Sequence, residues 1–170
     1  MNTKKIVEVA QSYVGMQEIP GNNGFLDKSF EKKMKAVGWK MKFAWCALFA
    51  ELVAKEAFSG DSAKLSEFDT LFSASAVATW SNFQGSKKYK TGKVPKIGSL
   101  VIWKSPIGWT GHVGIVESVE KGGQWMSVIE GNGNPSGGRE GTHVVRKRRK
   151  LDIIPRGAGQ MYMLGFVQLC

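Results

Sequence analysis

Residues 93–103 read Lys-Val-Pro-Lys-Ile-Gly-Ser-Leu-Val-Ile-Trp, and near Pro95 the pattern of the chain changes from helical to extended. Upstream, apolar residues recur at helical spacing. Ile6, Val9, Ala10, Tyr13 and Val14 mark one helix closed by Gly15, and Phe30, Met34 and Val37 mark a second ended by Gly38. A third begins near Trp45 and carries Phe49, Val53 and Ala57 toward a core, with Gly60 beyond its end. Val77, Trp80 and Phe83 mark a shorter fourth, for which Ser73 or Ser75 is an available cap. The segment Ser62 to Phe72 fits a helix or a structured loop. Downstream, Leu100–Trp103, His112–Val119, Trp125–Glu130, Thr142–Arg146 and Met163–Val167 are short β-rich runs separated by turn residues. Gly122-Gly123 is a hairpin signal between the second and third strands, and Gly133 to Gly138 reads as a loop after the third. Helices followed by an antiparallel meander predict an α+β domain, its helices packed on one face of a curled sheet of five to six strands.

The chain has 170 residues, which is one domain's length, so a single domain over 1–170 is expected. A 42% hydrophobic and 11% aromatic content excludes a disordered tail. No stretch approaches the roughly 18 apolar residues of a membrane span. Polar Glu8, Gln11 and Ser12 interrupt any signal-peptide core, so a product made in the cytoplasm without a leader is expected, acting elsewhere only after release or delivery. Two cysteines, Cys46 and Cys170, are too few for a disulfide framework, although a single bridge between them is formally open.

Twenty-four Lys and Arg against 14 Asp and Glu give a net charge of +10, which implies anionic partners: nucleic acid, a membrane surface or a cell-wall polymer. Much of the charge lies in three clusters: Lys32, Lys33, Lys35, Lys40 and Lys42; Lys87, Lys88, Lys90, Lys93 and Lys96; and Arg146 to Lys150. A solubilising surface explains any one of them equally well. A nucleic-acid-binding module would use the last two, but the chain carries no recognition-helix, zinc or RNP signature.

Cys46, in Phe43-Ala-Trp-Cys-Ala-Leu-Phe49, falls at the predicted start of the third helix. There the helix dipole and unpaired N–H groups favour a thiolate and can hold an oxyanion. On its own Cys46 reads better as a small buried hydrophobe among Trp45, Leu48 and Phe49. The chain has two histidines. His112 opens the apolar strand Gly111-His-Val-Gly-Ile-Val116, where neighbouring glycines leave room for another group, and paired with Cys46 it is a candidate general base. His143, in the basic fourth strand, reads as a surface or phosphate-facing position. Such a dyad needs a third group to orient the imidazole. Glu130 and Asn132 share a face by period-2 alternation at the end of the strand paired with that of His112, and either could serve.

These segments together resemble the CHAP domains, the cysteine- and histidine-dependent amidohydrolase/peptidases. Ala44-Trp-Cys-Ala-Leu-Phe49 is similar to their nucleophile helix, Gly111-His-Val-Gly-Ile-Val116 to their histidine strand, and Val128-Ile-Glu-Gly-Asn132 to the strand ending in Glu-x-Asn. Lys93 to Trp103 resembles their Pro-x-x-Gly-Asp approach to the sheet, with Ser99 where Asp is usual, and Leu164-Gly-Phe-Val167 their last strand. Tyr13 to Gly21 is like the opening helix and turn of phage-associated members.

The resemblance implies a papain-like fold and cleavage of an amide bond in peptidoglycan, by an N-acetylmuramoyl-L-alanine amidase or a stem or cross-bridge endopeptidase. It carries over Cys46 as nucleophile, His112 as general base and then acid, Glu130 as the group orienting His112, and Asn132 as a supporting polar residue. Trp45, Trp103 and Trp109 are candidates to line the substrate groove. Core and strand packing is the better reading for Trp45 and Trp103, and Trp109 is the best groove candidate, in the loop Pro106-Ile-Gly-Trp-Thr110 just before His112. Calcium-binding members carry an Asp-rich loop ahead of the cysteine; Asn22, Asn23 and Asp27 are too thin a set, so no metal and no other cofactor is expected. The expected partners are peptidoglycan and anionic wall polymers, with a pore-forming partner for a lysin or an immunity protein for a delivered toxin. A monomer is the expected state. A cysteine hydrolase of this fold acting on another amide is the competing enzymatic reading.

Overall fold

A computed structural model describes residues 3–135, 141–151 and 160–170. Five helices precede the main sheet: α1 (Thr3–Ser12), α2 (Lys28–Ala36), α3 (Cys46–Ala57), α4 (Ser62–Leu71) and α5 (Ala76–Ser86). Their starts follow the chemistry of the first turn. Asp27, Asp61 and Ser75 each accept a backbone N–H three residues ahead, which is how a short polar side chain satisfies an orphan donor. Asp61 thereby decides the ambiguous segment in favour of helix.

Six strands follow: β1 (Lys90–Gly92), β2 (Leu100–Lys104), β3 (Gly111–Val119), β4 (Trp125–Gly133), β5 (His143–Lys150) and β6 (Tyr162–Gln168). They form one antiparallel sheet in the order β1-β6-β2-β3-β4-β5, the α+β, papain-like arrangement expected. β1 is three residues long and carries no apolar alternation, so only its pairing with β6 reveals it. Gly122 and Gly123 both take the left-handed backbone that a tight hairpin between β3 and β4 requires. Of the loop expected over Gly133 to Gly138, residues 136–138 lie outside the described residues.

The sheet is apolar on both faces. Leu100, Ile102, Val113, Ile115, Ile129 and Val167 pack with Ile6, Phe30, Phe49 and Val53 of the helices. Val101, Trp103, Val116, Met126, Val128, Met163 and Phe166 form a second cluster on the other face. α3 is the central helix, buried along most of its length, and it seats on the sheet at Gly131, where a Cβ would lie 2.5 Å from that of Phe49. Only glycine permits that approach, and it sets the start of α3 beside the ends of β3 and β4.

Candidate active site

α3 begins at Cys46. Trp45, its N-cap, has a non-helical backbone and makes no side-chain capping bond. The thiol is therefore held in the first turn among uncapped N–H groups, where the dipole favours negative charge. It is 6% exposed, and the backbone N–H groups of Ala47 and Val113 point to it.

His112, near the start of β3, is hydrogen-bonded to Cys46. Its Nε2 lies 2.9 Å from Glu130 Oε2. An ionised carboxylate only accepts, so Nε2 carries the proton and Nδ1 is the nitrogen left for the thiol. Burial pushes the Cys46 thiol up, but the facing imidazolium and its hydrogen bond outweigh that and hold the thiol below its ordinary value. Burial likewise pushes His112 down; the opposing thiolate and then Glu130 reverse this and raise it to about 10. Both shifts favour a thiolate–imidazolium pair at rest.

Glu130 is 0% exposed. Gly114 makes this possible, because a Cβ there would lie 2.9 Å from Glu130 Cγ. Burial pushes the carboxyl up, yet hydrogen bonds from His112 and Arg149 win and hold it at about 2. Arg149 forks onto it, Nε to Oε1 and Nη2 to Oε2, both at 2.6 Å. Its guanidinium carbon lies 5.5 Å from the Trp103 ring centre, and Trp103 stacks on His112 with centroids 5.9 Å apart and planes 29° apart.

Of the two groups that could meet His112, Glu130 is the one hydrogen-bonded to it. The register of β4 on β5 shifts between Glu130 and Gly133, and Asn132 takes a left-handed backbone with φ 54° within that bulge. The bulge ends the simple alternation that put both residues on one face. Asn132 Oδ1 is buried with no hydrogen-bond partner among the described residues.

Of the three tryptophans that were groove candidates, Trp103 is buried against His112 and Arg149, and the other two part company. Trp45 is a correction: it is 0% exposed, packed edge-on against Phe25, Phe30 and Phe49, and its indole N–H donates to the buried Glu18. An N-cap residue whose side chain turns inward cannot line a surface groove. Trp109 is 84% exposed, three residues before His112, with Lys104 Nζ 5.5 Å from its ring centre.

Sequence reasoning missed Arg149 because Arg146 to Lys150 reads as uniform charge and the strand was expected to stop at Arg146. The structure carries β5 to Lys150, pairing Glu130 with Val145 and Met126 with Arg149. Alternation from Val145 through Lys147 to Arg149 then puts the arginine on the carboxylate's face. The other arginines of the run are also paired: Arg146 forks onto Glu117 and Arg148 onto Glu120. This cluster is thus largely neutralised within the protein, which removes the main support for a nucleic-acid surface there. Cys46 and Cys170 are both free thiols, so the bridge left open by the sequence is not formed. Ser99, where the resembling family has Asp, donates from Oγ to Lys96 O at 2.6 Å and closes the turn before β2.

A family model for the CHAP domain matches residues 37–132. No curated protein and no solved structure matches the chain. The matched span is more than half of the 170 residues and contains Cys46, His112, Glu130 and Asn132. With the thiol, imidazole and carboxylate brought together by α3, β3 and β4, the chain belongs to the CHAP domain family, a family of amidase and peptidase hydrolases that act on peptidoglycan.

Proposed function

We propose that the protein hydrolyses an amide bond of the peptidoglycan peptide, as an N-acetylmuramoyl-L-alanine amidase or as a stem or cross-bridge endopeptidase, with Cys46 as nucleophile. The observation that carries this reading is the chain of contacts from Cys46 to His112 and on to Glu130 Oε2, 2.9 Å from the far ring nitrogen. It supports acyl transfer, because the thiol needs a base and the base needs a fixed tautomer.

In this mechanism the Cys46 thiolate attacks the amide carbonyl and the oxygen takes up the electron pair. N–H groups at the start of α3 stabilise that oxyanion. The intermediate collapses as the C–N bond breaks, and His112 gives its Nδ1 proton to the leaving amine. Neutral His112 then takes a proton from water, whose oxygen attacks the thioester, and the carboxylic acid leaves as the thiolate re-forms. Glu130 stabilises the imidazolium whenever it exists, and Asn132 is a supporting polar group at the same end of β4. Trp109, exposed and three residues before His112 in the chain, stacks on substrate.

Surface charge supports retention on anionic wall polymers, supplied by lysines; Lys32, Lys40, Lys87, Lys90 and Lys96 form no ion pair among the described residues. The protein acts on the wall after release or delivery, and the likeness of Tyr13 to Gly21 to phage-associated members supports a lysin released by a pore-forming partner. The test is digestion of purified peptidoglycan by wild type and Cys46→Ala, with masses of the fragments. Cys46-dependent release is expected, and the new termini separate amidase from endopeptidase. Release that is absent, or equal in the two proteins, would overturn the proposal.

A further inference from the structure

Three carboxylates receive the arginines of β5, and they differ in burial. Glu120 takes Arg148 at the surface, an exposed pair that contributes little, and Glu117, 11% exposed, takes a half-exposed Arg146. Glu130 takes Arg149 where the carboxylate has no exposure at all. Both its oxygens are engaged by the fork, and Oε2 is shared with His112 Nε2. A guanidinium can hold a carboxylate in one plane because its two parallel N–H groups match the two oxygens. Trp103 closes the arrangement into a ring: it stacks on His112, and the Arg149 guanidinium also lies over it.

We propose that Arg149, backed by Trp103, is a positioning residue of the active site, whose fork fixes Glu130 so that Oε2 stays aimed at His112 Nε2. The inference rests on the Cys46–His112–Glu130 reading above and deepens it. Arg149 lies beyond residues 37–132, the span matched by the family model, so this part of the site comes from outside that span.

The charges explain why a second cation is tolerated beside an imidazolium. Thiolate and imidazolium, carboxylate and guanidinium sum to zero; without Arg149 the group would carry one net negative charge when the ion pair forms. Among the described residues Lys147 on β5 also bears on this cluster; burial and then Arg149 hold it below its ordinary value while Glu130 acts the opposite way. Cys46 faces the cluster from α3 and His112 from β3. Loss of Arg149 therefore tightens proton binding at Cys46 and His112 alike, and frees Glu130 to rotate.

The test compares Arg149→Gln and Arg149→Lys in the full chain carrying Cys170→Ser. Two quantities are read: kcat and KM on a soluble peptidoglycan fragment, and the rate at which iodoacetamide alkylates Cys46 as a function of pH. Arg149→Gln is expected to lower kcat roughly 10–100-fold with KM unchanged, the scale seen for partners that orient a functional histidine. It should also move the limb at which Cys46 becomes reactive to higher pH. Arg149→Lys keeps the charge but not the fork, so that limb should return toward wild type while kcat stays depressed. Wild-type kcat and an unmoved limb in Arg149→Gln would overturn the proposal. So would activity lost only in proportion to unfolded protein, with the limb of the folded fraction unmoved. If Arg149→Gln fails to fold, Arg149→Lys decides alone, and wild-type kcat in that variant would overturn the role of the fork. Alkylation needs no substrate, so a wild type inert on peptidoglycan refutes the substrate reading while the clamp is still judged on the pH limb.

Discussion

Replacing Glu130 by Gln keeps the shape of the side chain and removes its charge, so it probes the buried cluster directly. The carboxyl is held from an ordinary 4.5 down to about 2, which corresponds to about 3 kcal/mol of stability at neutral pH. Removing one partner of a buried ion pair costs roughly 3–5 kcal/mol by an independent route. The two figures agree, and for a domain of this size they imply a Tm lower by roughly 6–20 °C. The sign of the pH dependence follows from a depressed carboxylate. Its contribution is fully present above about 4.5 and is lost as pH falls toward about 2. Urea unfolding of wild type and Glu130→Gln should therefore differ by about 3–5 kcal/mol at neutral pH, and by less than half of that near pH ~3. Activity should fall on the order of 10⁴-fold, as when the orienting carboxylate of a hydrolase triad becomes an amide. The basic limb of the pH–rate profile should move to lower pH, since His112 then faces Arg149 with no anion between them. A gap under about 1 kcal/mol at neutral pH, or one independent of pH, would refute the buried ion-paired carboxylate.

Trp109→Ala should leave stability within about 0.5 kcal/mol of wild type, because the ring is exposed, and should raise KM several-fold at constant kcat; an unchanged KM in steady-state kinetics would take Trp109 out of the groove. Ser99→Ala removes the buried hydroxyl bond to Lys96 O and should cost about 1 kcal/mol in urea unfolding without changing kcat. Lysis of whole walls should fall with added salt more steeply than hydrolysis of a soluble fragment. Equal slopes would remove charge-based retention. Charge reversal at Lys32 and Lys40 should flatten the slope more than reversal at Arg146 and Arg148, whose charges are already paired.

Four helices and the main strands were legible from apolar runs and the residues that end them, Phe30 and Met34 before Gly38 on α2 and Phe49 and Val53 before Gly60 on α3, whereas Ser62 to Phe72 fitted helix and loop alike. β1 was not, since Lys90-Thr-Gly92 is a strand only through its bonds to β6. The dyad and its carboxylate were legible as a constellation, with Cys46 at a helix start, His112 between glycines and Glu130 at the end of the neighbouring strand. Two side chains defeated one-dimensional reading. Trp45 adjoins the nucleophile yet turns inward, because Glu18, 27 residues away in the chain, accepts its indole N–H. Arg149 is hidden in a run of five basic residues whose partners Glu117, Glu120 and Glu130 lie on other strands. Which member of a charge run meets a buried carboxylate depends on strand length and register, and here the strand runs four residues past Arg146.

The most direct measurement is turnover of a defined soluble peptidoglycan fragment in water enriched in heavy oxygen, by wild type and Cys46→Ala, followed by mass analysis. Amide hydrolysis through Cys46 predicts one heavy oxygen in each newly formed carboxyl group with wild type, and an intact fragment with the variant. Cleavage by Cys46→Ala at a comparable rate, or a fragment left whole by the wild-type protein, would contradict it.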